Sequence, residues 1–265
     1  MHPDYSIIVP THQRALLLKR TLASIKAQSP AIRTEVIVIA DVADTRTDEI
    51  CQELLEASDI YVRRNGPCGP SESRNLGMRL ATGRYILFLD DDDAWHAGFL
   101  EALHARPEVQ QGLLVFFDTT HAEERRLETG PELLEQVDMS LAGKFSSLVY
   151  VKNQIPICNH AFPRNLLDGL VFDIHMRAYE DWDFCLAVYA RQWPVHVPVL
   201  GTIVYVVKDE TTDRRSNTPQ AGGLDAFLDY MYVYRRHPAP TNELALQRSK
   251  FIASIEGLEI PKQHL

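Results

Sequence analysis

The chain has 265 residues, of which 45% are hydrophobic and 24% charged, and its net charge is −9 at neutral pH. That mix excludes a disordered chain, and at roughly 150 residues per domain the length allows one large domain or two small ones. The acidic balance argues against a nucleic-acid partner, whose phosphates call for an excess of basic residues.

Taken in chain order, the first hundred residues alternate strand and helix signals. Ser6 to Pro10 is a short β-branched run ended by proline, and Leu18, Leu22 and Ile25 then recur at helical spacing. Glu35 to Ala40 reads as a second buried strand. Thr45 with Asp48 can cap the following helix, which carries Ile50 and Leu54. Ile60 to Arg63 is a short third strand, Ser71 to Ala81 a helix closed by Gly83, and Arg84 to Leu89 a fourth strand. Fully apolar strands joined by helices predict an α/β fold, Rossmann-like, with a mostly parallel sheet covered on both faces. Ligands bind such sheets beyond the carboxyl ends of the strands. Polar residues stand at those ends: Pro10 to Arg14 after the first strand, Asp41 after the second and Asp90 to Asp93 after the fourth.

The second half is less regular. Leu113 to Asp118 is a strand, His121 to Gly130 a charged loop or exposed hairpin, and Pro131 to Val137 weakly helical. Trp182, Cys185, Leu186 and Tyr189 give Tyr179 to Arg191 the spacing of a helix. Val195 to Val207 contains two strand-like runs, and Asp209 to Gly223 reads as a polar loop. From Leu224 onward the spacing is helical and rich in tyrosine. No segment reaches the roughly 20 apolar residues that span a bilayer. The N-terminus lacks the pattern of a secretory signal. Cys51, Cys68, Cys158 and Cys185 include no CxxC pair, which argues against a zinc knuckle and favours scattered thiols in a reducing compartment.

Two acidic motifs carry the chemistry. Asp90-Asp91-Asp92-Asp93 follows an apolar strand, and four adjacent carboxylates repel one another unless they are solvated or neutralised. A hard divalent cation, its shell completed by diphosphate oxygens, would neutralise them; a solvated turn or helix cap is the plainer reading of the run alone. Tyr179-Glu180-Asp181-Trp182-Asp183 opens a helix, where acids are also favoured by the helix dipole.

Ser6 to Arg14, Glu35 to Asp41, Ser73-Arg74-Asn75-Leu76-Gly77 and Gly83 to Asp93 stand in the order and spacing of family 2 glycosyltransferases. The chain resembles that family densely over residues 5 to 100 and more thinly to about 216. The resemblance implies a GT-A fold in residues 1–216. Its first part, 1–100, would be the nucleotide-sugar half and 101–216 an acceptor half with mixed strand pairing, followed by a C-terminal helical extension over 217–265. It also implies inverting transfer of a sugar from a nucleoside-diphosphate donor, by default a UDP-sugar, to a glycan or lipid-linked glycan. By position, Pro10, Thr11 and Arg14 would line the donor site, Asp41 would contact the base, and Arg74 and Asn75 would join them. Asp92 would be the main ligand of Mn2+ or Mg2+. Asp90 would share in metal binding or orient the ribose and sugar hydroxyls, with Asp91 beside them. Asp181 would be the general base and Glu180 would hold the acceptor or the helix start. Arg214 and Arg215 would supply charge to the diphosphate. Asn159, His160 and Trp182 are acceptor-side candidates, although Trp182 also fits the apolar stripe of its helix.

The sequence departs from the family pattern at two places. His12-Gln13 replaces the common tyrosine-asparagine, and one of the paired acids after the second strand is Ala40 here. Thymine and guanine therefore stay open as donor bases. A nucleotidyltransferase is a second reading, opposed by the lack of glycine between Pro10 and Arg14. A non-catalytic sugar-nucleotide- or glycan-binding module is a third. The tyrosine-rich C-terminal region, with Tyr230, Tyr232 and Tyr234, could pack into the core, self-associate or meet a membrane surface, whereas a cytoplasmic location at the inner membrane face follows from the resemblance only.

Overall fold

A computed structural model describes residues 2–127, 130–207 and 224–256. Strands β1 (Tyr5–Thr11), β2 (Thr34–Ala40), β3 (Ile60–Arg63) and β4 (Tyr85–Phe88) are parallel in the order β3-β2-β1-β4. Helices α1 (Ala15–Lys26), α2 (Thr45–Leu54) and α3 (Pro70–Leu80) connect them. Alternation along the strands builds two cores. Ile7, Val9, Val36 and Val38 face Leu18, Leu22, Ile25 and Ile50 of α1 and α2. Ile8, Ile37 and Ile39 face the opposite way, toward Leu76 and Leu80 of α3. The sheet is thus covered on both faces, as fully apolar parallel strands require. Gly77 lets α3 press onto β1, because a Cβ there would sit 2.5 Å from Ile8 Cγ2.

The second half extends the same sheet with mixed pairing. It comprises β5 (Ala94–Trp95), α4 (Phe99–His104), α5 (Pro107–Gln110), β6 (Val115–Leu127), β7 (Gly130–Met139), β8 (His160–Pro163), α6 (Glu180–Tyr189) and β9 (Val195–Val207). Strand β8 runs antiparallel to both β4 and β6, β9 lies parallel to β6, and β5 and β7 pair antiparallel with β9 and β6. Helices α7 (Leu224–Arg236) and α8 (Asn242–Glu256) pack Tyr230, Val233, Tyr234 and Ile252 into the second core, beside Trp182 of α6.

The structure decides three local expectations. Pro131 to Val137 is a strand and not a helix, because pairing along β6 outweighs a weak helical preference. Of the loop or exposed hairpin expected for His121 to Gly130, the hairpin holds: the run continues β6 and pairs antiparallel with β7, Leu127 opposite Gly130, while Ala122 and Glu124 alternate inward. Asp44, not Thr45, caps α2, its carboxylate accepting from the Arg46 and Thr47 amides. Among the described residues no helix is long and apolar enough to cross a membrane.

Candidate active site

The four acids after β4 alternate in environment. Asp91 and Asp93 are buried, whereas Asp90 and Asp92 keep more solvent contact. Asp91 accepts from Thr11 Oγ1 at 2.8 Å, from the His12 amide at 3.2 Å and from Arg14 Nη1 at 3.4 Å. Burial pushes its carboxyl up to about 6, the Asp92 charge adds to this, and Arg14 opposes it. Asp93 accepts from the Tyr205 amide and is likewise raised by burial, with Asp92 and Asp90 adding to the effect. These two acids fasten β1 and β9 to the end of β4. Pro10 and Thr11 are the buried end of β1, whereas Arg14 keeps partial exposure. The chain turns sharply there through Gln13, whose φ is 51°.

Asp92 meets two guanidinium groups. Arg14 Nη1 lies 2.6 Å and Arg126 Nη2 2.9 Å from its Oδ2. Among the described residues none binds Oδ1. Arg126 also donates to Glu124, which is 2.6 Å from Arg20 Nη1, and Arg20 stacks on Tyr205 at 3.5 Å. Carboxylate oxygens from one or two residues suit a hard cation that draws its other ligands from phosphate, so Asp92 and Asp90 fit a magnesium or manganese ion by donor type.

Arg74 joins the two acidic motifs. Its Nη2 donates to Asp90 Oδ1 at 2.8 Å and its Nη1 to Glu180 Oε1 at 3.0 Å. The side chain is only 5% exposed, and its Nε has no hydrogen-bond partner. Burial opposes its charge, but Asp90 and Glu180 keep it firmly protonated. The arginine near Asp41 is Arg64, whose Nη2 lies 3.9 Å from Asp41 Oδ2. Asp41 also meets His12 Nδ1 at 2.5 Å and accepts from the Gly69 amide at 2.8 Å.

Tyr179, with φ of 62°, turns the chain into α6 so that Glu180 and Asp181 fall in its first turn. Asp181 accepts from the Trp182 amide at 2.8 Å and from Asn153 Nδ2 at 3.3 Å. Burial raises its carboxyl to about 6; Glu180 adds to the rise and Arg74 opposes it.

Other candidates lie in the interior. Asn75 exchanges hydrogen bonds with the Phe172 backbone, which fixes the segment before α6 rather than facing a donor. Asn159 donates to Phe117 O. His160 is fully buried, with Nδ1 donating to Pro156 O and Nε2 accepting from Tyr189 OH. Burial lowers its pKa to about 4, so it is a neutral structural ring. Trp182 is fully buried and donates to Val149 O. None of these three meets the surface as an acceptor contact would, and for Trp182 the burial is that of the apolar stripe of its helix. Arg214 and Arg215 lie outside the described residues. Sequence reasoning missed Arg20, Arg64, Arg126 and Asn153.

The glycosyl transferase family 2 model matches residues 6–137. A GalNAc(5)-diNAcBac-PP-undecaprenol beta-1,3-glucosyltransferase of Campylobacter jejuni is 35% identical over 104 residues, covering 38% of this chain and 33% of its own length. The putative colanic acid biosynthesis glycosyl transferase WcaA of Escherichia coli is 24% identical over 243 residues, covering 89% of this chain and 82% of its own. Thus the chain spans about a third of the Campylobacter relative but most of the Escherichia one. Among solved structures, S. aureus TarS 1-349 in complex with UDP-GlcNAc superposes with a TM-score of 0.66 at 16% identity, over 96% of this chain and 73% of that one. The mannosyltransferase PcManGT of Pyrobaculum calidifontis, in complex with GDP-Man and Mn2+, does so with a TM-score of 0.56 at 17% identity, over the same shares. The fold is therefore GT-A, and the chain belongs to glycosyl transferase family 2.

Proposed function

We propose that this protein transfers a sugar, with inversion, from a nucleoside-diphosphate sugar to a hydroxyl of a glycan or lipid-linked glycan. The observation that carries this reading is Arg74, which ties Asp90 at the sheet edge to Glu180 next to Asp181. A donor held over the acidic run and an acceptor held at α6 would then meet in one fixed frame.

In this reading His12 and Asp41 face the base, and Arg14 and Arg126 face the diphosphate, with Arg214 or Arg215 adding charge. Asp90 orients ribose and sugar hydroxyls. Asp92, with Asp90, would hold Mn2+ or Mg2+, an ion that supplies charge to stabilise the departing diphosphate. Asp181 takes the proton of the acceptor hydroxyl. The acceptor oxygen bonds to the anomeric carbon as the carbon–oxygen bond to phosphate breaks, and the nucleoside diphosphate leaves with the electron pair. A carboxyl poised near 6 suits a base working near neutral pH. UDP is the favoured leaving group, supported by the UDP-GlcNAc bound to TarS; the GDP-Man bound to PcManGT keeps guanine in view. The undecaprenol-linked substrate named for the Campylobacter relative supports a lipid-linked acceptor, and with it a cytoplasmic protein in peripheral contact with the membrane.

The test is a thermal-shift and turnover panel of nucleoside diphosphates and their sugars, with and without manganese. One nucleotide should stabilise the wild type only with metal, by mass action on the native state. Asp92→Ala should lose both that shift and turnover while remaining folded. Undiminished activity in Asp92→Ala would remove the metal assignment, and tight donor binding without turnover would favour a binding module.

A further inference from the structure

We propose that His12, Asp41 and Cys68 form a binding site for zinc or a similarly thiophilic divalent ion, separate from the carboxylates of Asp90 and Asp92. One imidazole nitrogen, one carboxylate oxygen and the thiol sulfur of these residues lie within 4.8 Å of one another. They come from the turn after β1, the end of β2 and the loop between β3 and α3, so no sequence spacing reveals them. Among the described residues no other group of three histidine, cysteine or acidic side chains gathers as closely.

The donor atoms select the ion. Thiolate with imidazole is the mixed set that zinc takes, whereas magnesium and calcium prefer oxygen alone. With bonds of about 2.0–2.3 Å, ligand atoms around tetrahedral zinc stand roughly 3.3–3.8 Å apart. The widest separation in the cluster must therefore close by roughly 1 Å, and the close His12–Asp41 contact must open by a similar amount.

The surroundings hold the ligands in place. Arg64 Nη1 donates to Pro67 O at 2.7 Å and its Nη2 to Gly69 O at 2.9 Å, so both chain neighbours of Cys68 are pinned. The Gly69 amide donates in turn to Asp41 Oδ2 at 2.8 Å. The loop that presents the thiol is thereby fastened to the carboxylate that would share the ion. Outer hydrogen bonds of this kind fix ligand orientation in metal sites. Asp41 is buried, His12 is partly exposed, and Cys68 is an exposed free thiol. Three protein ligands with one side toward solvent leave a fourth position for water or substrate. The site uses Asp41, the base-side acid of the function proposed above. A bound ion and a nucleobase would compete for that carboxylate, a consequence that rests on that reading.

The full chain, stripped with chelator, is titrated with cobalt(II) and zinc(II) in the absence of nucleotide. One equivalent of cobalt should give a thiolate-to-metal charge-transfer band and the strong visible absorption of a four-coordinate ion, and zinc should displace it. Cys68→Ser should abolish the charge-transfer band and weaken zinc binding at least tenfold. Cys51→Ala, which removes a buried thiol of α2, should leave both unchanged. No charge-transfer band, a band that survives Cys68→Ser, or zinc displaced by magnesium would each overturn the site. Zinc affinity weakened by UDP or GDP would support the shared use of Asp41. Zinc affinity indifferent to both would keep the metal site and overturn its overlap with the base.

Discussion

Replacing Asp181 with asparagine should make the protein more stable while removing its base. The carboxyl stands near 6 in the folded protein against 3.8 as its ordinary value, raised first by burial and then by Glu180. Each tenfold change in proton affinity is about 1.4 kcal/mol, so ionised Asp181 costs the fold at most about 3 kcal/mol. Asp181 keeps some solvent contact, which reduces the expected gain in Asp181→Asn to about 1–2 kcal/mol. The hydrogen bonds survive the change. The new amide retains an oxygen for the Trp182 amide. Its NH2 faces Asn153, whose buried Oδ1 has no partner and can accept once that amide turns over. The sign follows from proton counting. Between about pH 4 and pH 6 the folded wild type binds more protons than the unfolded chain, so its stability falls as pH rises through this window. The advantage of Asp181→Asn should therefore be full above about pH 6 and absent below about pH 4. Urea unfolding of both proteins at about pH 8 and about pH 4 measures it. Turnover should drop by roughly 10²–10⁴. A variant less stable than wild type at the higher pH, or a difference equal at both, would refute the reasoning.

Two further substitutions test the frame around this site. Arg74→Ala removes a cation shared by Asp90 and Glu180 and should cost about 3 kcal/mol, the low end for a broken buried pair because Asp90 is 42% exposed. At roughly 2–4 °C per kcal/mol, the unfolding midpoint should fall by roughly 6–12 °C, with Arg74→Lys intermediate; an unchanged midpoint would exclude the bridge as a structural tie. Gly83→Ala would place a Cβ 2.6 Å from Ser6 N and 2.7 Å from Tyr5 C, against backbone that cannot swing aside. It also disturbs an amide that donates to Ser6 Oγ and Glu35 Oε1. Chemical denaturation should register a loss of about 3 kcal/mol, and a loss below about 1 kcal/mol would show that the strand yields.

The nucleotide-side half of the fold was legible because its strands are buried on both faces. Val36 to Ala40 and Tyr85 to Leu89 are apolar at every position, and each connection is long enough for a helix. Beyond residue 120 the pattern fails for a physical reason. In β7 every residue from Pro131 to Asp138 is exposed, so no apolar period marks it, and backbone pairing with β6, joined by the Thr120–Asp138 and Arg125–Glu132 contacts, holds it as a strand.

The site divides along the same line. The carboxylates were legible because acids following an apolar strand or opening a helix break a local pattern. Their partners were not, because an arginine carries no mark of the acid it will meet. Arg126 reaches Asp92 from 34 positions away, and Arg74 reaches Glu180 across 106. The three interior candidates failed in the opposite sense: polar atoms in an apolar stretch look like a site, but Asn159, His160 and Trp182 spend those atoms on backbone carbonyls and a tyrosine hydroxyl. Burial demands that their polarity be satisfied, and the interior does it. At the sheet edge, by contrast, Asp90 is 42% exposed and the Cys68 thiol is exposed, while Asp92 stays partly exposed beside Arg14 and Arg126, and the sites proposed above draw on these side chains.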